Sequence, residues 1–195
     1  MTSRRGTPTA ARLSRFLLAL LAAAALGACA ALPNDSPVVE ELDADTGATI
    51  ARLGRPVELY RETFVQDAAG RFTFVAPFET NQMGTRASFL WLAVPIEAAP
   101  DAAPPEVEVN GKPLVLGAAG RSADFAGLQH SPYKIPTPWS AMYYFKLDAA
   151  LLAQLGEADD ISIHVLEPTK DGPIRTTFAA KVGADSRLKE FSARQ

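Results

Sequence analysis

The sequence has few of the residues that most often act in catalysis or bind metals. It contains one cysteine, Cys29, and two histidines, His130 and His164, among 195 residues. One cysteine cannot close a disulfide within the chain, and a zinc site usually needs three or four histidine, cysteine or carboxylate ligands. The two histidines are not close in sequence, and no G-x-S-x-G nucleophile motif is present. The sequence therefore predicts no metal site, no cofactor and no catalytic residue.

A hydrophobic run long enough for a transmembrane helix is also missing. The longest one, Phe16 to Ala28, has 13 residues and is soon followed by Pro33-Asn34-Asp35. A helix needs about 20 apolar residues to cross a bilayer. A basic segment, a short apolar segment and small residues are typical of a secretory signal peptide, here residues 1–28. Its basic residues are Arg4, Arg5, Arg12 and Arg15.

The end of this run, Leu26-Gly27-Ala28-Cys29, resembles the lipobox of bacterial lipoproteins. The resemblance implies cleavage between Ala28 and Cys29, a diacylglycerol on the Cys29 thiol and an acyl chain on the new amino terminus. Residues 29–37 then form a lipidated tether. Two alternatives stay open: an ordinary cleaved secretory signal with a chance cysteine, and an uncleaved membrane anchor.

The residue after the cysteine bears on location. It is Ala30 and not aspartate, which in Gram-negative lipoproteins implies the inner leaflet of the outer membrane, facing the periplasm. Three acyl chains anchor a protein durably, whereas one gives only marginal binding. The Arg4-Arg5 pair raises twin-arginine export, but Gly6 and Thr7 follow where that motif usually has an apolar pair. General secretion is therefore expected.

Positive charge is scarce after the leader. Four of the 19 basic residues precede the first acid, Asp35, so residues 29–195 carry 15 basic and 22 acidic residues, a net charge of −7. Proteins that bind nucleic acids neutralise phosphates with lysine and arginine. A nucleic-acid partner is therefore not expected, and the membrane contact is expected through the lipid alone.

Hydrophobic alternation predicts short strands through residues 38–195. Two extended segments flank a turn at Asp45-Thr46-Gly47, where glycine supplies a positive φ. Residues 86–96, RASFLWLAVPI, are typical of a central strand buried on both faces. A long connection covers residues 117–140. Further strands are predicted at 57–60, 71–78, 141–147, 161–165 and 174–181.

The dipeptide Asn110-Gly111 lies between two alternating segments. It predicts a type I′ hairpin because both turn residues must adopt positive φ. Pro113 follows in the second strand of this hairpin and cannot donate to a ladder, so that strand is placed at a sheet edge.

Two short helices are predicted near the end of the chain. Asp148 caps the first, which stops at Gly156, and Asp185 caps the second, in which Leu188 and Phe191 dock. Eight or nine strands with two small helices favour one mainly β domain, an antiparallel β-sandwich of immunoglobulin-like architecture. The domain is similar to uncharacterised periplasmic lipoproteins in its Thr46-Gly47 turn, its Leu90-Trp91 strand and its segment 148–155.

The loop HSPYKIPTPW, residues 130–139, is the candidate binding segment. It combines His130, Tyr133, Lys134 and Trp139 with three prolines, and long ordered loops often carry binding function. The alternative is that it covers a sheet edge. His164 lies on an alternating strand, where a solvent-facing or cross-strand position is expected.

These patterns together predict a lipid-anchored envelope protein of structural or accessory role that binds a protein partner. One alternative is an envelope hydrolase with a non-contiguous site, which a concave pocket containing His130 would favour. The other is a carrier of a small apolar ligand, which a cavity lined by Phe72, Phe74 and Trp91 would favour.

Overall fold

The computed structural model describes residues 37–62, 71–95, 103–134, 140–183 and 186–194. The predictions that fall on the leader, on Leu26-Gly27-Ala28-Cys29, on the tether before Pro37, on Trp139 and on Asp185 lie outside these residues.

Eleven β-strands, two α-helices and one 3-10 turn make up the described chain. The strands are β1 Val38–Leu42, β2 Thr49–Leu53, β3 Val57–Arg61, β4 Phe72–Gln82, β5 Thr85–Pro95, β6 Glu106–Val109, β7 Lys112–Pro113, β8 Ala119–Gly120, β9 Ser140–Leu147, β10 Asp160–Glu167 and β11 Ile174–Lys181. The 3-10 turn is Ala123–Ala126, and the helices are α1 Ala149–Gly156 and α2 Ser186–Ser192.

All these strands pair antiparallel in one sheet. Its order is β7-β6-β10-β11-β3-β4-β5-β9-β8, and β2 joins β4 with β1 beyond it. The sheet curls into a half-barrel. Consistent with this curl, Phe145 of β9 lines the same groove as Pro113 and Leu114 of the β6–β7 hairpin, at the opposite end of the strand order.

Strand β4 is shared by two partners along one of its edges. Its first part, from Phe72 to Val75, pairs with β3, and its later part, from Phe78 to Asn81, pairs with β2. Its other edge pairs with β5 from Phe74 to Gln82. The sheet therefore forks at β4, and the residue nearest the fork is Pro77, which has no N–H to donate.

The central strands are buried on both sides, as predicted for residues 86–96. Because side chains alternate along a strand, Leu90 and Leu92 of β5 point to the inner face of the curl, and Phe89 and Trp91 point to the outer face. All four are at most 5% exposed. Described residues of the long connection before β9 pack on the outer face, where the centroids of the Phe125 and Phe89 rings lie 6.4 Å apart.

The helices form where the sequence predicts them, but the reason for glycine at the end of α1 differs from the prediction. The Asp148 carboxylate accepts a hydrogen bond from Leu151 N at 2.8 Å, which confirms the N-cap. Helix α1 ends at Gly156, where a Cβ would lie 2.0 Å from Ser192 Oγ of α2. Glycine is therefore required here because the two helices approach closely, and not for a left-handed cap.

The hairpin prediction is confirmed in detail. Asn110 and Gly111 have φ of 52° and 68°, as a type I′ turn requires. Strand β7, which contains Pro113, lies at the end of the strand order. The Asn110 carboxamide also accepts hydrogen bonds from Asp159 N and Asp160 N and donates to Glu157 O. The turn thus holds the start of β10 as well.

The mainly β, antiparallel class of the fold is confirmed, with two small helices. The 3-10 turn at Ala123–Ala126 and the short strand β8 fall within the long connection that the sequence left without regular structure. The immunoglobulin-like layering stays a prediction.

An ion pair is buried on the inner face, near one end of the half-barrel. Arg61 of β3 reaches over β11 to Glu167 of β10, and both side chains are 8% exposed. Thr176 of β11 donates to the second Glu167 oxygen at 2.8 Å. The Arg61 guanidinium lies 5.5 Å from the centre of the Phe178 ring. This cluster connects three neighbouring strands through side chains.

We predict that Glu167→Gln destabilises the domain by about 3–5 kcal/mol, because it leaves the Arg61 guanidinium buried without a counter-charge. Urea unfolding followed by circular dichroism measures the change. The double variant Arg61→Met with Glu167→Met is expected to lose much less.

The matched control is Glu106→Gln, which removes one partner of the exposed Arg175–Glu106 pair and is expected to change stability by about 1 kcal/mol or less. Equal losses of stability for Glu167→Gln and Glu106→Gln would contradict the prediction, because they would mean that burial of the Arg61–Glu167 pair does not matter for stability.

Candidate binding cleft beside the last helix

A cleft of about 340 Å³ opens between the sheet and helix α2. Its volume lies near the lower end of the range of small-ligand sites, about 300–1,000 Å³. Four strands and the end of the last helix line it, with charged side chains of both signs among them. The lining residues are Glu40, Thr49, Ala51, Glu79, Asn81, Arg86, Phe191 and Arg194.

The strand register places the charged residues of this cleft. Glu40 of β1 is opposite Ala51 of β2, which is opposite Glu79 of β4. Neighbouring strands lie about 4.8 Å apart, so the backbones at Glu40 and Glu79 are about 10 Å apart. Arg86 of β5 is opposite Asn81, one pair further along the same face. The sheet therefore presents two carboxylates and one guanidinium on a single face.

Helix α2 supplies the remaining wall. Phe191 is 1% exposed and packs its ring into the core, which fixes the helix against the sheet. Arg194 follows shortly after, and its Nη1 lies 3.2 Å from Glu40 Oε1. The wall at β1 thus carries one ion pair that is open to solvent, since the two side chains are 41% and 62% exposed.

The second ion pair of the cleft is built differently. The Glu79 side chain is only 8% exposed, whereas the Arg86 side chain is 63% exposed. Arg86 Nη1 lies 3.8 Å from Glu79 Oε1, which is an electrostatic contact but too long for a hydrogen bond. The N–H donors of Arg86 therefore remain available for hydrogen bonds at the mouth of the cleft, beside a buried carboxylate.

The predicted binding segment divides into exposed and buried residues. His130 and Lys134 are exposed, and His130 Nε2 lies 3.5 Å from Asp45 Oδ2 on the β1–β2 turn. Tyr133 is 3% exposed and belongs to the core. Trp139 lies outside the described residues. The described part of this segment therefore does not form one continuous exposed surface.

Tyr133 completes the sheet at the fork of β4. Its hydroxyl accepts a hydrogen bond from Leu53 N at 3.1 Å and donates to Pro77 O at 2.8 Å. Leu53 and Pro77 would form the next pair of the β2–β4 ladder after Arg52 and Phe78. The hydroxyl thus replaces a direct backbone contact at the place where β2 leaves the ladder.

The surroundings of Tyr133 are apolar and cationic. Its ring lies 5.0 Å from the Trp91 ring and 5.5 Å from the Arg52 guanidinium carbon. Burial raises the pKa of Tyr133 well above the ordinary tyrosine value, because a phenolate would be poorly solvated there. Tyr133 is therefore a protonated hydrogen-bonding group of the core.

His164 occupies the cross-strand position that was expected. Its Nδ1 lies 2.9 Å from Thr177 Oγ1, directly opposite on β11, and its Nε2 lies 3.2 Å from Glu108 Oε1 on β6. Arg175 is 3.6 Å from the same Glu108 oxygen. A hydroxyl, an imidazole and a carboxylate in line resemble the order of a catalytic triad. Here the three connect neighbouring strands on the outer face of the sheet, which is the usual role of cross-strand polar pairs.

Among the described residues, no group of three or more histidine, cysteine, aspartate or glutamate side chains is placed to hold a metal ion. In the same residues, no helix has the length and hydrophobicity to cross a membrane.

Asp43 accepts a hydrogen bond from the Thr46 hydroxyl at 2.8 Å, which lowers the pKa of its carboxyl and ties it into the β1–β2 turn.

The cleft residues were missed by the sequence analysis, although one signal was present. Glu79 interrupts the apolar segment of β4, and a charged residue within such a segment is rarely buried without a partner. Arg86 of β5 faces Glu79 across the β4–β5 hairpin, whereas Arg194 pairs with Glu40. No local pattern joins this hairpin to β1 and to the end of the chain.

Comparisons with protein-family models, with curated proteins and with solved structures find no match for this chain.

We predict that Tyr133→Phe destabilises the domain by about 1–3 kcal/mol, because it leaves Leu53 N–H and Pro77 C=O buried without their shared partner. Thermal and urea unfolding measure the loss. Tyr60→Phe is the control, since Tyr60 is 56% exposed and its change is expected to stay within about 0.5 kcal/mol. Tyr133→Phe with unchanged stability would contradict the role of this hydroxyl in the sheet.

Proposed function

We propose that this protein is a lipoprotein of the bacterial cell envelope, held by lipid on Cys29 and facing the periplasm from the outer membrane. The support is the segment Leu26-Gly27-Ala28-Cys29 after a basic and apolar leader, with Ala30 in the following position. The net charge of −7 over residues 29–195 fits a domain that is repelled by anionic lipid head groups. The lipid is then the membrane contact, and the domain stays free to bind.

The domain acts by binding in this proposal. The observation that supports it most is the cleft between the sheet and α2, where Glu79 is buried beside the exposed Arg86 and where Arg194 pairs with Glu40. Charged side chains converging on a concave site are typical of ligand recognition. A small-molecule cleft and a protein-binding loop occupy different parts of the domain, so an accessory role with both is compatible with this fold.

The exposed part of the loop after the 3-10 turn is the proposed contact with a protein partner. His130 and Lys134 are exposed while Tyr133 anchors the segment between them. Trp139, from the sequence, adds a residue type that often dominates binding energy at interfaces. A segment fixed by a buried tyrosine loses little conformational entropy when a partner binds.

For the fold, we propose a sandwich-like layering of the curled sheet. The support is that inner-face side chains are buried in two separate parts of the sheet. Leu90 and Leu92 are buried on β5, and Ile163 and Phe178 are buried on β10 and β11. Two β layers about 10 Å apart bury such side chains between them.

We predict that Cys29→Ser abolishes incorporation of radiolabelled palmitate and releases the protein from the membrane fraction. Ala30→Asp is the matched control: it keeps the cysteine, so lipidation is expected to persist while the protein shifts to the inner membrane. Continued lipid labelling of Cys29→Ser would overturn the proposed anchor.

We predict that Trp139→Ala and Lys134→Glu each lower capture of the envelope partner about tenfold or more, as expected when interface anchor residues are lost. Formaldehyde cross-linking in cells, followed by affinity purification from detergent-solubilised envelopes, measures the capture. Lys170→Glu is the matched charge reversal on the exposed β10–β11 turn and is expected to change nothing.

Two results would count against the partner proposal. In the first, the loop variants capture the same proteins as the unchanged chain at equal yield. In the second, Trp139→Ala lowers both the unfolding temperature and the yield of captured partner. That result would mean that the segment covers the sheet.

A further inference from the structure

We infer that the cleft beside helix α2 binds a small zwitterion, a free amino acid or a dipeptide that has one free amino group and one free carboxylate. The inference rests on the proposal that the domain acts by binding, and it names the chemistry of the ligand. It follows from the arrangement of Glu40, Glu79, Arg86 and Arg194 around one cavity.

The charges of the cleft select against ligands of a single sign. Two carboxylates and two guanidinium groups give the lining a net charge of zero. A polyanion would approach Glu79 and Glu40, and a polycation would approach Arg86 and Arg194. An apolar ligand would remove water from four charged groups without replacing its hydrogen bonds, which is costly. A ligand with one charge of each sign matches every wall.

Glu79 is the group that best suits the ammonium end of the ligand. Its side chain is 8% exposed, and a carboxylate has about four lone-pair positions, so it can accept a further donor in addition to its protein neighbours. A charge-assisted hydrogen bond in a partly buried site is stronger than one in water. Because Arg86 stands 3.8 Å away, an ammonium group would not have to break a short hydrogen bond between these two residues.

Arg194 suits the carboxylate end. It directs Nη1 to Glu40 at 3.2 Å, and its guanidinium has five N–H donors in a planar fork that matches a carboxylate. A ligand carboxylate at this wall accepts from the donors that Glu40 does not use. Arg86 stands beside Glu79 at the ammonium end, where it adds only a longer-range attraction to the ligand carboxylate.

The strand register sets the length of the ligand. The backbones at Glu40 and Glu79 are about 10 Å apart because β2 lies between β1 and β4. With a hydrogen bond of about 2.9 Å at each end, the ligand itself has to span about 4 Å. An extended chain spans at most about 3.6 Å per residue, so a free amino acid reaches both walls when extended and a dipeptide does so when it is bent.

Isothermal titration calorimetry of the full-length protein in detergent micelles tests the inference. A panel of free amino acids and dipeptides that includes alanine and Ala-Ala is compared with the N-acetyl and amide forms of each binder. At least one member of the panel is expected to bind with a dissociation constant below about 1 mM, and capping either end is expected to weaken it about tenfold or more.

Variants locate the binding in the cleft. Glu79→Gln and Arg194→Gln are each expected to weaken the bound amino acid or dipeptide about tenfold or more. Arg194 is 41% exposed, so Arg194→Gln keeps the test valid if Glu79→Gln fails to fold. Glu58→Gln, an exposed glutamate on β3, is the matched control and is expected to bind as the unchanged protein does.

Three outcomes overturn the inference: no amino acid or dipeptide of the panel binds below about 1 mM, capped and free forms bind equally, or the cleft variants that fold bind as tightly as Glu58→Gln. The proposed function fails separately, when Cys29→Ser stays lipidated or the loop variants keep full partner capture.

Discussion

The structure depends on one hydroxyl group placed inside a β-sheet. Strand β4 has two partners along a single edge, and the ladder is interrupted at Pro77, which lacks an N–H. Tyr133 Oη bridges Leu53 N at 3.1 Å and Pro77 O at 2.8 Å, so a side chain joins two backbone groups at the point where the β2–β4 ladder ends. Because an unpaired buried backbone group costs free energy comparable to a lost hydrogen bond, this bridge lets the sheet fork and direct β1 and β2 away from β3.

The fork has a consequence for the cleft. Strands β1 and β2 leave the line of β3 and present Glu40, Thr49 and Ala51 beside Glu79 of β4. Helix α2 lies against these strands, with Phe191 buried and Arg194 at the rim. If β4 had a single partner along this edge, β3 would occupy the whole edge. The mixed-charge cleft would then not form at this position.

Ion pairs in this domain serve different purposes according to their burial. Arg61 and Glu167 are both 8% exposed and connect β3 and β10 across β11, where loss of either leaves an uncompensated charge. Arg194 and Glu40 are 41% and 62% exposed, so solvent screens them and their contribution to stability is small. Exposed, screened charges can exchange partners, so the Arg194–Glu40 pair suits recognition of a ligand and the Arg61–Glu167 pair does not.

The sequence by itself determined the features that depend on neighbouring residues: the positions of most strands, the positive-φ turn at Asn110-Gly111, the edge position of Pro113 and the Asp148 cap. Each follows from backbone geometry within a few positions. Only the tertiary structure decided where Tyr133, Arg61 and Arg194 find their partners, which lie 80, 56, 106 and 154 positions away in sequence. Such contacts depend on sheet order and register, which periodicity does not encode. For that reason Tyr133 read as a surface contact residue in the sequence, while the fold made it part of the core.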